Sequence, residues 1–236
     1  MFLFLRLLLG HFLGDFPFQF NSIFKLKLKG FFGIIPHVLI ILACCIALSW
    51  PYLTEPSLWL FILFIGITHL IQDWVKIKYG SIKCSFWPYV ADQIFHAATI
   101  AVVLLTPLKN LPAPGGDNFL VRLYNNDQLV KYLIAVIAAT YNGYFMIRCF
   151  KDSFIGRANC NAFEKWYGIA ERAMIVSCFA LGGFWFLLLP VILFLRPPVF
   201  SLAAKRFLLH ADFKALQDTL LSWTLALGAA LLLYLL

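Results

Sequence analysis

The chain has 236 residues, 62% of them hydrophobic and 13% charged, with a mean hydropathy of +0.86. A soluble domain is about 45–50% apolar and about 25% charged, whereas the apolar residues here gather in runs of about 20, the length that crosses a hydrocarbon layer. A soluble enzyme, a disordered chain and a secreted disulfide scaffold are excluded. The formal charge of +8 then reads as basic residues collecting in cytoplasmic loops rather than as a nucleic-acid footprint.

In chain order, apolar helices are predicted over about 2–20, 31–50, 57–76, 86–106, 129–150, 166–182, 184–203 and 215–236. The fold class is all-α, a polytopic transmembrane helix bundle of about 7–8 spans in a single domain, 1–236. Met1–Leu9 has neither a basic leader nor a small-residue cleavage site after it and is expected to be a retained first helix. Pro51, Pro56, Pro107, Pro112 and Pro114 fall in or beside the breaks, where helices stop easily. Gly182-Gly183, Pro190 and Arg196-Pro197-Pro198 interrupt the region 166–203, which reads as two short spans or as one span with a re-entrant segment. The six cysteines (44, 45, 84, 149, 160 and 178) form no C-x-x-C pair and are expected to be small apolar packers.

Basic residues set the orientation. Lys25, Lys27 and Lys29 share one side with Lys76, Lys78 and Lys83, with Arg148, Lys151, Arg157 and Lys165, and with Lys205, Arg206 and Lys214. Arg6, Lys109, Arg122, Lys131 and Arg196 fall on the other. The positive-inside rule makes the first side cytoplasmic and leaves both termini outside the cytoplasm.

Ionisable residues within spans cost roughly 2.5–3.5 kcal/mol each at mid-helix and are rare without a reason. The first span carries His11, Asp15 and Gln19 at i, i+4, i+8, predicted to share one helical face. The second carries His37. The third carries His69 and Asp73 with Thr68 and Gln72 beside them, the fourth Asp92-Gln93 and His96, and the sixth Glu171-Arg172. Counted from the cytoplasmic ends, these side chains fall in one layer about 6–17 Å deep. Lys and Arg gave the orientation, whereas His, Asp and Glu gave the layer, so two independent signals agree on one intramembrane site.

Imidazole with carboxylate is the ligand set of zinc, iron or manganese, and i, i+4 spacing lets one helix supply two ligands. The expected metal residues are His11, Asp15, His37, His69, Asp73, Asp92 and His96, holding one or two divalent ions (Zn, Fe or Mn). Asp92 or Glu171 is the expected general base, and Arg172 the group that stabilises developing negative charge. Gln19, Gln72, Gln93 and Thr68 are expected hydrogen-bonding supports. A single His or Asp in a span is most often half of a pair that glues helices, which accounts poorly for so large a set. His210 and Asp212 are expected to be solvated loop residues, and Gly10 and Gly14 form a G-x-x-x-G for close helix packing.

Gly10-His11-Phe-Leu-Gly-Asp15-Phe-Pro-Phe-Gln19, His37, Thr68-His69-Leu-Ile-Gln-Asp73 and Asp92-Gln93-Ile-Phe-His96 resemble the uncharacterised bacterial integral-membrane family known as domain of unknown function 3307. Gly168-Ile-Ala-Glu171-Arg172 and Ala203-Ala204-Lys205-Arg206-Phe207 resemble its C-terminal half. The resemblance implies a bacterial inner-membrane protein and no particular activity. H-E-x-x-H, the histidine boxes of membrane desaturases and Asp-rich prenyltransferase motifs are all missing from the sequence.

The expected function is a membrane-embedded, metal-dependent hydrolase acting on a lipid or amphiphilic substrate at the cytoplasmic leaflet. Its expected partners are membrane lipids, with no nucleic acid. A proton or metal-ion transporter is the alternative from another class, and a scaffold with a structural polar network is a third. The almost wholly apolar outer halves of spans two and four (Leu39–Leu48, Ala97–Leu105) argue against a continuous polar path.

Overall fold

The computed structural model describes residues 1–79, 84–156, 162–194 and 213–235, with side chains described from 163 and from 217 in the last two segments. Lys83, Arg157, Cys160, Arg196-Pro197-Pro198, Ala203-Ala204-Lys205-Arg206-Phe207, His210, Asp212 and the Lys214 side chain lie outside the described residues. The described residues are all-helical, without strand, and form two compact units, Met1–Ile137 and Ala138–Leu236, where the sequence reads as one domain.

In the first unit α1 (Phe2–Asp15) is buried on nearly all sides, from Leu3 and Leu5 through Gly10 to Gly14 and Asp15. It stops before Pro17, which has no N–H to carry the helical bonds on. The expected span 2–20 is therefore too long, and Gln19 lies past the helix end rather than on the face of His11 and Asp15. A short α2 (Asn21–Lys27) follows, then α3 (Phe31–Leu48). Gly30 at φ 109° makes the corner between them, a backbone conformation that favours glycine. Gly33 lets α2 lie against the first turn of α3, since a Cβ there would stand 1.9 Å from the Leu26 carbonyl oxygen.

Next come α4 (Pro56–Tyr79) and α5 (Phe86–Ala101), the latter tightening into a 3₁₀ turn through Leu105. The unit closes with α6 (Phe119–Asn125), N-capped by Asn118, whose Oδ1 accepts from the Val121 N–H, and α7 (Asp127–Ile137). Within it α1 packs most extensively on α3, and also on α7 and α5. The G-x-x-x-G performs as predicted: a Cβ on Gly14 would lie 2.7 Å from Ile41 Cα, and one on Gly10 3.0 Å from Cys45 Cα. Such close approach supplies the dispersion contacts that hold helices together in lipid, where burial alone gives no net drive. Arg6, fully buried on α1, pairs with Asp127, donates to the Tyr124 carbonyl and stacks on the Phe2 ring, fastening α1 to α6 and α7.

The second unit comprises a π-helical turn (Ala138–Asn142), α8 (Gly143–Phe154), α9 (Ala162–Leu181) and α10 (Phe213–Leu235). Ile175, Cys178, Ile192 and Ala226 form its core, and Lys151 donates to Asp218 at 2.6 Å. Gly182 and Gly183, both at positive φ, break α9 from the apolar stretch Gly183–Phe194, as the sequence expects.

Among the described residues five helices are long and apolar enough to cross a membrane: Phe31–Leu48, Pro56–Tyr79, Phe86–Leu105, Asp127–Phe154 and Gln217–Leu235. By that measure α1 is too short, and α9 carries Glu164, Lys165, Glu171 and Arg172. Cys44, Cys45 and Cys178 are free thiols, whereas Cys84 and Cys149 are disulfide-bonded, which corrects their reading as simple packers.

Candidate metal centre

Four helices of the first unit each bring part of the polar layer to one place. The i, i+4 spacing puts His11 and Asp15 on one face of α1 and His69 and Asp73 on one face of α4. The same spacing in reverse pairs Asp92 with His96 on α5, and α3 supplies His37 directly after Pro36. His11, His37, His69, Asp73 and His96 are all at most 3% exposed. The seven expected metal residues meet in one cluster, six of them buried and Asp92 partly exposed.

Two triads within it have ligand atoms within 4.8 Å of one another: His11, His69 and His96, and Asp15, His37 and His69. The imidazoles crowd together, with His69 stacked on His96 at 4.2 Å between ring centroids and His11 at 5.2 Å and 5.1 Å from the two. Each of three histidines meets a carboxylate through Nε2: His69 with Asp73 at 3.2 Å, His96 with Asp92 at 3.4 Å and His37 with Asp15 at 3.1 Å. His37 Nε2 also lies 3.3 Å from His69 Nε2, and the Gln19 amide reaches the His37 ring at 3.2 Å from beyond the end of α1.

The carboxylates are held in turn by lysines that the sequence reads as topology signals or, for Lys27, as part of a basic stretch facing anionic lipids. Lys27 Nζ of α2 lies 2.6 Å from Asp73 Oδ2, and Lys76 Nζ donates to Asp92 Oδ2 at 2.5 Å. Lys25 and Lys29 point out while Lys27 is buried, the alternation expected two residues apart on a helical path. Three carboxylates (Asp15, Asp73 and Asp92) meet only two ammonium groups (Lys27 and Lys76), and the third carboxylate, Asp15, meets His37 instead. His11 adds a sharper point. Among the described residues, both its ring nitrogens and Nδ1 of His69 are buried without a hydrogen-bond partner.

The expected supports divide. Gln19 reaches His37 and Gln93 donates to Asp92, but Thr68 bonds to the Phe64 carbonyl of its own helix and Gln72 donates to Thr99. Glu171 and Arg172 belong to the second unit and have a network of their own. Arg172 donates from Nε to the Ala139 carbonyl at 2.6 Å, from the second terminal nitrogen to the Thr140 carbonyl and from the first to Ser222 Oγ. Ser222 and Trp223 donate to the Glu171 carboxylate. The π turn displaces the regular helical bonds, and Arg172 takes up two carbonyls within it.

Residues 3–114, just under half of the chain, match the model of a family described as "Protein of unknown function (DUF3307)". The match contains every residue of the cluster and bears out the resemblance for the first unit. Gly168-Ile-Ala-Glu171-Arg172 and the 203–207 segment lie outside it. No curated protein and no solved structure matches the chain.

Proposed function

We propose that the first unit holds one divalent ion within the membrane and that the protein is a membrane-embedded, metal-dependent hydrolase of a lipid or amphiphilic substrate. His11, His69 and His96 would hold the ion, a three-nitrogen set of the kind that leaves a coordination position for water. The carrying observation is that ligand atoms of His11, His69 and His96 converge within 4.8 Å of one another while neither ring nitrogen of His11 has a hydrogen-bond partner among the described residues. A buried polar group without a partner costs about 1–3 kcal/mol, and a bound ion would take one of the two His11 nitrogens. The three-histidine set is narrower than the seven ligands expected, because Asp73 and Asp92 already face lysines and serve better as the acceptors that orient His69 and His96.

When bound, the ion would supply Lewis acidity and lower the pKa of a nearby water. Asp15 and His37, in contact with each other and beside His69, are the proton acceptors this reading favours over Asp92 and Glu171. Arg172, whose donors go to Ala139, Thr140 and Ser222, takes a structural role in this reading.

The spans beyond the five long apolar helices, residence in the bacterial inner membrane and both termini outside the cytoplasm belong to the same proposal, supported by the charge pattern of the loops. The test is incubation of zinc-loaded and chelator-stripped protein with mixed bacterial phospholipids, followed by mass spectrometry of the lipids. Cleavage confined to the loaded protein and lost in His11→Ala is expected. Equal lipid profiles in all samples would remove the hydrolase assignment.

A further inference from the structure

The corner that delivers Lys27 to Asp73 has a second, outward face. Phe20, Phe24 and Leu28 recur every fourth residue and are 60%, 45% and 59% exposed. Lys25 and Lys29 each follow one of these by a single position and are exposed. Neither lysine has a salt-bridge partner among the described residues, unlike Lys27 and Lys76. Phe32, 82% exposed at the start of α3, continues the apolar face. Apolar rings beside unpaired ammonium groups at the cytoplasmic end of the first unit match the boundary where acyl chains meet phosphate.

We propose that α2 and the Lys29 turn form a headgroup site for anionic phospholipids, with Lys25 and Lys29 engaging the phosphate. The occupant is a lipid rather than free phosphate, since the aromatic face beside the lysines needs acyl chains to cover it. Lys27 lies between the two on the chain and reaches the other way, so a bound headgroup sits next to the segment that closes the His/Asp cluster. Anionic lipid is thereby the substrate class presented to that cluster, a step that rests on the hydrolase reading, whereas headgroup binding itself does not.

The experiment uses full-length protein in neutral detergent, titrated with dioctanoyl phosphatidylglycerol or dioctanoyl phosphatidylcholine and followed by native mass spectrometry. The phosphatidylglycerol should bind preferentially. Each lysine contributes about fivefold near an anionic surface, so Lys25→Gln with Lys29→Gln should weaken it by about 25-fold and Lys25→Arg with Lys29→Arg should restore it. Equal binding of the two lipids by the wild type, or undiminished phosphatidylglycerol binding by the double Gln variant, would overturn the proposal. Metal content measured on the same samples separates the two readings: headgroup binding without metal would leave this site standing and remove only the substrate assignment.

Discussion

At the scale of single residues, the cluster combines charges that are compensated with nitrogens that are not. Asp73 is buried between Lys27 and His69, so removing the lysine leaves a carboxylate short of its counter-ion. Lys27→Met should lower stability by about 3–5 kcal/mol, and adding Asp73→Leu should recover much of the loss, read as thermal unfolding midpoints in detergent. An unchanged midpoint in the single variant would show that Asp73 does not depend on Lys27. The histidines and aspartates of this cluster were legible because ionisable side chains stand out in apolar runs. Lys27 and Lys76 were not, because a basic residue at a span end also satisfies the positive-inside rule, and the two roles look alike in sequence. The partners of Arg172 were not legible for a related reason: they include the carbonyls of Ala139 and Thr140, and a π turn leaves no side-chain signature.

At the scale of helices, the register of α1 against α3 fixes where His11 meets its partners. Gly14 touches the Ile41 backbone, so Gly14→Val forces the two helices apart. Overpacking of this kind costs about 1–3 kcal/mol, and the variant should melt earlier and also lose metal. Gly228 on α10 is the control: a Cβ there meets nothing within 4 Å, so Gly228→Ala should leave the midpoint unchanged or raise it slightly. A drop for Gly228→Ala equal to that for Gly14→Val would contradict this packing. The G-x-x-x-G could be read in advance because its meaning is local and steric. The end of α1 was misplaced because apolar residues run on past Pro17, so composition outvoted the proline.

At the scale of the whole molecule, the apolar length of the helices fits a multi-pass protein, and the asymmetry of Lys and Arg supports the proposed cytoplasmic α2 corner. The disulfide-bonded Cys84 and Cys149, beside basic residues of that same side, point instead to an oxidising compartment. A single cysteine placed at Asn118 in a cysteine-free background should react with an impermeant thiol reagent from outside cells, and one at Lys29 should not. The reverse pattern would invert the orientation and place the cluster toward the opposite leaflet. Hydropathy makes the helical fold and the apolar length of five helices readable, but span count turns on α1, α9 and the short apolar stretch Gly183–Phe194, whose length or charge sets them apart. The division at Ile137–Ala138 was not legible, because the helical stretch Asp127–Phe154 runs across it without a break in composition. The most direct test of the central claim is elemental analysis of the full-length protein purified in detergent without chelator, beside His11→Ala and His96→Ala. About one equivalent of zinc, iron or manganese in the wild type, lost in both variants at unchanged elution volume, is the predicted result. A well-folded wild type that holds no metal even after incubation with each ion, or variants that keep it, would contradict the account.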